Sequence, residues 1–164
     1  MSGGWSVSVL LSLALAACAP AAAAEGQTVT VSKVVDGDTV HITDSSGADI
    51  TLRVIGLDSP ETKKPRTPVQ CGGLAATAYA KEMLLGKRVQ LVTDPTQDRV
   101  DRYGRRLGYL RLADGTDYST EAVRAGVARA YTYDKPALED PAIQAAEAEA
   151  RAAGRGGWSA CGWS

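Results

Sequence analysis

The chain reads as an α+β protein, mainly β: a five-stranded Greek-key barrel of the oligonucleotide-binding (OB) type with about three helices. Three observations predict this. The first third holds three short alternating runs separated by tight-turn residues, a helical segment follows the third run, and two more alternating runs precede a helical C-terminal part. Five antiparallel strands interrupted by a helix after the third suit a small closed barrel.

Before the strands, the first 24 residues contain no charged side chain, and the apolar run 7–17 has the length of an export-signal core but is too short to span a bilayer as a permanent helix. Two processing outcomes stay open. Cleavage after Ala24 would free residues 25–164 as one domain in the periplasm or medium. Alternatively, Leu15-Ala16-Ala17-Cys18 has the form of a lipobox, and removal of residues 1–17 would leave a lipidated Cys18 tethering the protein to a membrane.

The expected strands cover residues 28–35, 39–43 and 49–55, with turns at Asp36-Gly37 and at 44–47, where Asp, Ser and Gly suit tight hairpins. A helix is predicted over 74–85, closed by Gly86 as its C-terminal cap and packed on the sheet by its apolar stripe. Further strands follow at 89–93 and 107–112. Ser119 is the expected cap of a short helix to about 126, and Asp140 before Pro141 opens a last helix to about 153, stopped by Gly154, Gly156 and Gly157.

A net charge of -1 and a pI of about 5.8 exclude strong non-specific capture of polyanions, so any nucleic-acid contact is local. Positive charge gathers at Lys63, Lys64 and Arg66 and at Arg99, Arg102, Arg105, Arg106 and Arg111; each run suits either a solvated loop or a substrate contact. Cys71 and Cys161 are an even pair in an exported chain and suit a disulfide, the alternative being two buried thiols. With one distant histidine they do not make a zinc site. No repeat or heptad pattern is present, and a monomer is expected.

Chemistry concentrates in four segments. Asp36-Gly37-Asp38 is by itself an ordinary hairpin turn, but Asp58 and Glu61 follow a strand and flank Pro60, so all three sites can share one pocket. Crowded carboxylates repel one another unless a cation or guanidinium intervenes, and an all-oxygen set favours Ca²⁺ or Mg²⁺. Arg53 lies five residues before Asp58, on the opposite face of an ideal strand, so the turn must bend to unite them; otherwise Arg53 is a strand-edge residue in a surface pair worth about 0–1 kcal/mol. Arg105 follows Tyr103-Gly104, and two arginines on one phosphate strengthen their hold as charge develops. Tyr131 and Tyr133 share a face if extended, either as a base-stacking surface or as a cover for the core. His41 is expected at the surface, and Trp158 and Trp163 are expected to anchor the tail.

Across roughly 29–158, the segments Asp36-Gly37-Asp38-Thr39, Arg53 through Asp58-Ser59-Pro60-Glu61, Asp101-Arg102-Tyr103-Gly104-Arg105, Ala130 to Tyr133 and Trp158-Ser159 occur in an order and spacing that resemble the staphylococcal nuclease (thermonuclease) family. The resemblance implies an OB-type barrel and Ca²⁺-dependent endonuclease activity on DNA and RNA, preferentially single-stranded, with 3′-phosphate products. It implies Asp38, Asp58 and the Ser59 carbonyl as Ca²⁺ ligands, Glu61 as general base or water-orienting group, Arg53 and Arg105 as phosphate clamps, and Tyr103, Tyr131 and Tyr133 around the nucleotide. Ser59 replaces the family's common threonine, the net charge is low for such a protein, and Cys71 and Cys161 are additions. The rival readings are a non-catalytic nucleic-acid-binding module of the same fold and a structural envelope lipoprotein.

Overall fold

The computed structural model describes Met1 and residues 26–63 and 65–164. Residues 2–25, on which the expected export signal and Cys18 fall, and Lys64 lie outside them. In chain order the elements are β1 (Gln27–Val34), β2 (Thr39–Thr43), β3 (Asp49–Val54), β4 (Gly56–Asp58), α1 (Gly73–Leu84), β5 (Arg88–Val92), β6 (Arg106–Arg111), α2 (Tyr118–Arg124), β7 (Arg129–Tyr131), α3 (Asp140–Ala152) and α4 (Gly157–Ala160).

Five strands close a barrel in the order β1-β2-β3-β6-β5, as the alternation predicts. The closure departs from an all-antiparallel meander: β3 and β6 run parallel, with Arg53 opposite Leu107 and Val54 opposite Gly108. A parallel neighbour needs a long crossover, and the stretch holding β4, α1 and β5 provides it. Inward positions Val31, Val40, Ile42, Leu52, Val54 and Leu110 have no exposed surface. Burying a Leu, Ile or Val side chain contributes on the order of 2 kcal/mol, which makes this interior the main stabiliser of the frame. Helix α1 adds Ala76, Ala80 and Leu84, spaced four apart on one face, while Leu74 at its start stays exposed.

Three expectations are corrected. The third strand ends at Val54, one residue short of the expected Ile55: Gly56 takes φ +84°, and Gly56–Asp58 leaves the barrel to pair with β7. A Cβ on Gly56 would lie 2.3 Å from Ile143 Cδ1, so this bend also needs the missing side chain. Ser119 is not a helix cap; Asp117 is, its Oδ1 accepting from the Thr120 amide at 2.9 Å, while Ser119 Oγ donates to the Ile55 carbonyl at 2.8 Å. A carboxylate at that position both satisfies the amide and complements the helix dipole. Gly157 does not end α3 but opens a fourth, one-turn helix, α4, beside the three longer helices of the described residues. Cys71 and Cys161 form a disulfide, with Cα atoms 5.8 Å apart.

Candidate functional site

The site grows from the β1–β2 hairpin. Asp36 Oδ1 accepts from the amides of Asp38 at 3.2 Å and Thr39 at 2.8 Å, so this carboxylate shapes the turn, as an Asx motif does. Tyr118, fully buried in α2, donates its hydroxyl to the Gly37 carbonyl at 2.6 Å. Gly37 admits no side chain, since a Cβ would stand 2.6 Å from Ser59 Cβ and 2.9 Å from Ala76 Cβ. The hairpin is thereby pressed against the Ser59 turn, and Asp38 Oδ2 accepts from Ser59 N at 2.9 Å and Ser59 Oγ at 3.0 Å.

The bend at Gly56 brings Arg53 and Asp58 to one site, as their spacing required. Arg53 Nη2 lies 3.3 Å from Asp58 Oδ1 and 3.4 Å from Asp38 Oδ2. Its Nη1 donates to the carbonyls of Val54 at 2.6 Å and Leu57 at 3.0 Å, which fixes the guanidinium plane. Arg53 is thus a half-buried hub and not a strand-edge surface residue. Opposite it, Arg105 donates through Nε to Asp101 Oδ2 at 2.7 Å, and Nη1 approaches Thr39 Oγ1 at 3.5 Å. Thr39 Oγ1 in turn donates to Asp38 Oδ1 at 2.9 Å, so a continuous polar chain joins Arg105, Thr39, Asp38 and Arg53.

Glu61 sits on the next loop. Its Oε1 accepts from the amides of Thr62 at 2.9 Å and Lys63 at 2.8 Å, and its own backbone is clasped by Gln70, whose Oε1 accepts from Glu61 N at 2.8 Å while its amide donates to Glu61 O at 3.0 Å. A cleft of ≈ 530 Å³ collects Asp36, Asp38, Arg53, Asp58, Ser59, Glu61, Tyr103, Arg105, Tyr131 and Tyr133. All the residues singled out from sequence for catalysis, metal and substrate therefore line one cavity. The tyrosines are exposed, and the Tyr131 and Tyr133 rings lie 6.4 Å apart. Tyr103 is flanked by the guanidinium groups of Arg102 and Arg105 at 4.8 and 5.4 Å from its ring centre.

Burial and the adjacent Asp38 push the Asp36 carboxyl up to about 6. Asp58 is also raised, burial outweighing the attraction of Arg53. Acid groups held this way fit a cation: the donor set is all oxygen, and Asp38 and Asp58 meet at a single Arg53 nitrogen. Among the described residues, no three carboxylate, histidine or cysteine side chains converge into a complete metal centre. Any cation would draw its remaining ligands from backbone, water and substrate, as hard ions commonly do.

Of the basic runs, Arg102 and Arg105 line the cleft, whereas Lys63 and Arg66 are exposed outside it and Arg111 pairs with Glu139. His41 is at the surface beside Asp49. Sequence reasoning missed Gln70 and Tyr118 and gave Asp101 no role of its own, although Gln70 clasps Glu61, Asp101 holds Arg105 and Tyr118 reaches Gly37 from across the fold. The one legible signal was Asp101, four residues before Arg105 in a turn containing Gly104.

Comparison with known proteins agrees with this geometry. The chain is 43% identical over 108 residues to a thermonuclease of Staphylococcus intermedius, an alignment covering 66% of this chain and 62% of that protein, so less than two thirds of that relative is spanned. It is 38% identical over 136 residues to a thermonuclease of Staphylococcus hyicus, covering 83% of this chain and 78% of the relative. It is also 36% identical over 136 residues to the SPbeta prophage-derived endonuclease YokF of Bacillus subtilis, with 82% and 45% covered. The family model described as staphylococcal nuclease homologue matches residues 51–160, which hold Arg53, Asp58, Glu61 and Arg105, and the chain belongs to that family.

Proposed function

We propose that the protein is an endonuclease that hydrolyses phosphodiester bonds of DNA and RNA with little sequence preference, favouring single strands, using Ca²⁺ and leaving 3′-phosphate products. The observation that carries this reading is the polar chain Arg105–Thr39–Asp38–Arg53, which sets two guanidinium groups on one cleft with carboxylates between them. The relatives named as thermonucleases and endonucleases support it.

Arg53 and Arg105 hold the non-bridging oxygens of the scissile phosphate and gain strength as negative charge builds there. Glu61 takes the proton of the attacking water. Cleavage of the bond to the 5′-oxygen leaves the phosphorus on the 3′-oxygen, which gives the 3′-phosphate end. Asp38, Asp58 and the Ser59 carbonyl would hold Ca²⁺, whose charge polarises the phosphate and the water when it is bound. Tyr131 and Tyr133 offer exposed rings to a base, which an unpaired strand presents more readily than a duplex. The Cys71–Cys161 disulfide supports a working place outside the cytoplasm, reached through the uncharged leader, either free or tethered at Cys18.

The deciding experiment is cleavage of single-stranded DNA by the purified protein with Ca²⁺ and with a chelator, beside Glu61→Ala and Arg105→Ala. Cutting that needs Ca²⁺ and falls at least about a hundredfold in each variant is expected. Binding of DNA without cutting under any condition would replace this reading with the non-catalytic module.

A further inference from the structure

A second cavity of ≈ 240 Å³ adjoins the cleft on the other side of Asp58. Asp58 and Gln70 line both cavities, and Pro60, Arg129, Trp163 and the Cys71–Cys161 disulfide complete the smaller one. Arg129 opens β7 directly opposite Asp58 in the β4–β7 ladder, so the two side chains share a face of that ribbon. Its guanidinium packs over the Trp163 ring, 5.6 Å from the centre.

Among the described residues, the Arg129 side chain makes no hydrogen bond and no close ion pair, although its charge acts on the nearby Asp58 carboxylate and favours its ionised form. It differs in this from the cleft arginines: Arg53 and Arg105 hold carboxylates, and Arg102 donates to the Tyr103 hydroxyl at 2.8 Å. Its guanidinium donors are therefore uncommitted, beside a site built for a phosphodiester.

The surface under Arg129 is fixed. The Trp163 ring meets the edge of Trp158 with centres 5.7 Å apart, and lies on Gly157 so closely that a Cβ there would come within 2.4 Å of it. Cys161, two residues before Trp163, is bonded to Cys71, which follows Gln70, the residue that clasps Glu61. Gly72 completes the contact: a Cβ on it would lie 3.6 Å from Cys161 Sγ and 3.7 Å from Trp163 Cζ2. The tail is thus tied to the loop that carries Glu61.

We propose that Arg129, backed by Trp163 and fixed through the Cys71–Cys161 disulfide, forms a phosphate subsite that binds a nucleic-acid phosphate neighbouring the one held in the cleft. The proposal rests on the nuclease reading above. An arginine held on an aromatic face loses little freedom when it binds an anion, and its planar fork suits phosphate oxygens. Arg129 and Gly157 both lie against the indole, so the subsite takes a phosphate and not a stacked base.

The test is fluorescence anisotropy of a labelled thymidine octanucleotide and a labelled thymidine dinucleotide on the intact protein in a chelator, over a range of salt, for wild type, Arg129→Ala, Arg129→Lys and Trp163→Ala, each first checked for folding by urea titration. Arg129→Ala is expected to weaken the octamer several-fold, to reduce the salt slope by about 0.7, and to leave the dinucleotide unchanged. Arg129→Lys should recover most of the octamer affinity, and Trp163→Ala should lose part of it. Equal losses on both lengths, no loss on the octamer, or a wild type that does not bind the octamer would overturn the subsite. Cleavage of the octamer with Ca²⁺ separates the two readings: an octamer bound through Arg129 but never cut sinks the nuclease and keeps the subsite, and one cut and bound equally well by Arg129→Ala does the reverse.

Discussion

Arg53 Nη2 stands 3.4 Å from Asp38 Oδ2, which ties the third barrel strand to the hairpin that precedes the second. The same guanidinium holds the carbonyls of Val54 and Leu57, so it is a structural pin as well as the proposed phosphate ligand. Arg53→Ala is expected to destabilise the fold by about 3 kcal/mol, since it removes the countercharge of the buried Asp38 and the donors to two carbonyls, and to abolish cleavage. Arg53→Lys should recover part of the stability and little activity, because an ammonium cannot reproduce the fork. Urea midpoints beside cleavage rates check both, and an Arg53→Lys enzyme of near wild-type rate would contradict the bidentate role.

Tyr118 reaches the same hairpin from α2 through the Gly37 carbonyl. Tyr118→Phe removes one hydroxyl and leaves a buried acceptor without its donor, which should cost about 1–3 kcal/mol. Because Gly37 lies between Asp36 and Asp38, cleavage should fall more than this loss of stability explains at temperatures where the variant remains folded. Denaturation and cleavage at one temperature make the comparison.

The disulfide closes a separation of 90 residues. Replacing Cys71 and Cys161 together by serine should lower stability by about 2–4 kcal/mol, the range usual for native bonds closing long loops. Thermal unfolding of the double variant beside the oxidised wild type checks this. An unchanged melting temperature would remove the disulfide from the account of stability.

Asp94 gives the fold a defined acid limb. Burial pushes its carboxyl up, but bonds from the Leu138 amide, from the Thr96 hydroxyl and amide, and from the Tyr109 hydroxyl together hold it below the ordinary carboxylate value. A lowered folded-state value means that the stabilisation is complete above the unfolded value of about 3.9 and is lost as pH falls through the folded value. The stability gap between wild type and Asp94→Asn should therefore be constant from pH 7 to 5 and shrink below about pH 4. Urea midpoints across that range test it, and a gap that widens on acidification would reverse the sign.

Much of the site was legible along the chain because it lies in short segments. The Asp36-Gly37 turn, the carboxylates around Pro60 and the Tyr103-Gly104-Arg105 segment each present their groups through local backbone geometry. The five barrel strands were legible for the same reason, since alternation is a property of neighbouring residues. Less was legible at Ser119, where two nearby polar residues competed for one cap and the Ile55 carbonyl claimed the serine.

By itself the sequence determined the strand and helix order, the carboxylate and arginine segments, and a cysteine pair able to bridge. Only the tertiary structure decided that Arg53 meets Asp38 and Asp58, because that depends on the left-handed bend at Gly56 and on the departure of Gly56–Asp58 to β7. It also decided the parallel β3–β6 closure, the grip of Gln70 on Glu61 and the seating of Arg129 on Trp163. The physical reason is common to these cases. Turn and strand preferences act over a few residues, whereas these contacts join separate elements or both sides of a bend, and form only where core packing fixes the path of the backbone between them.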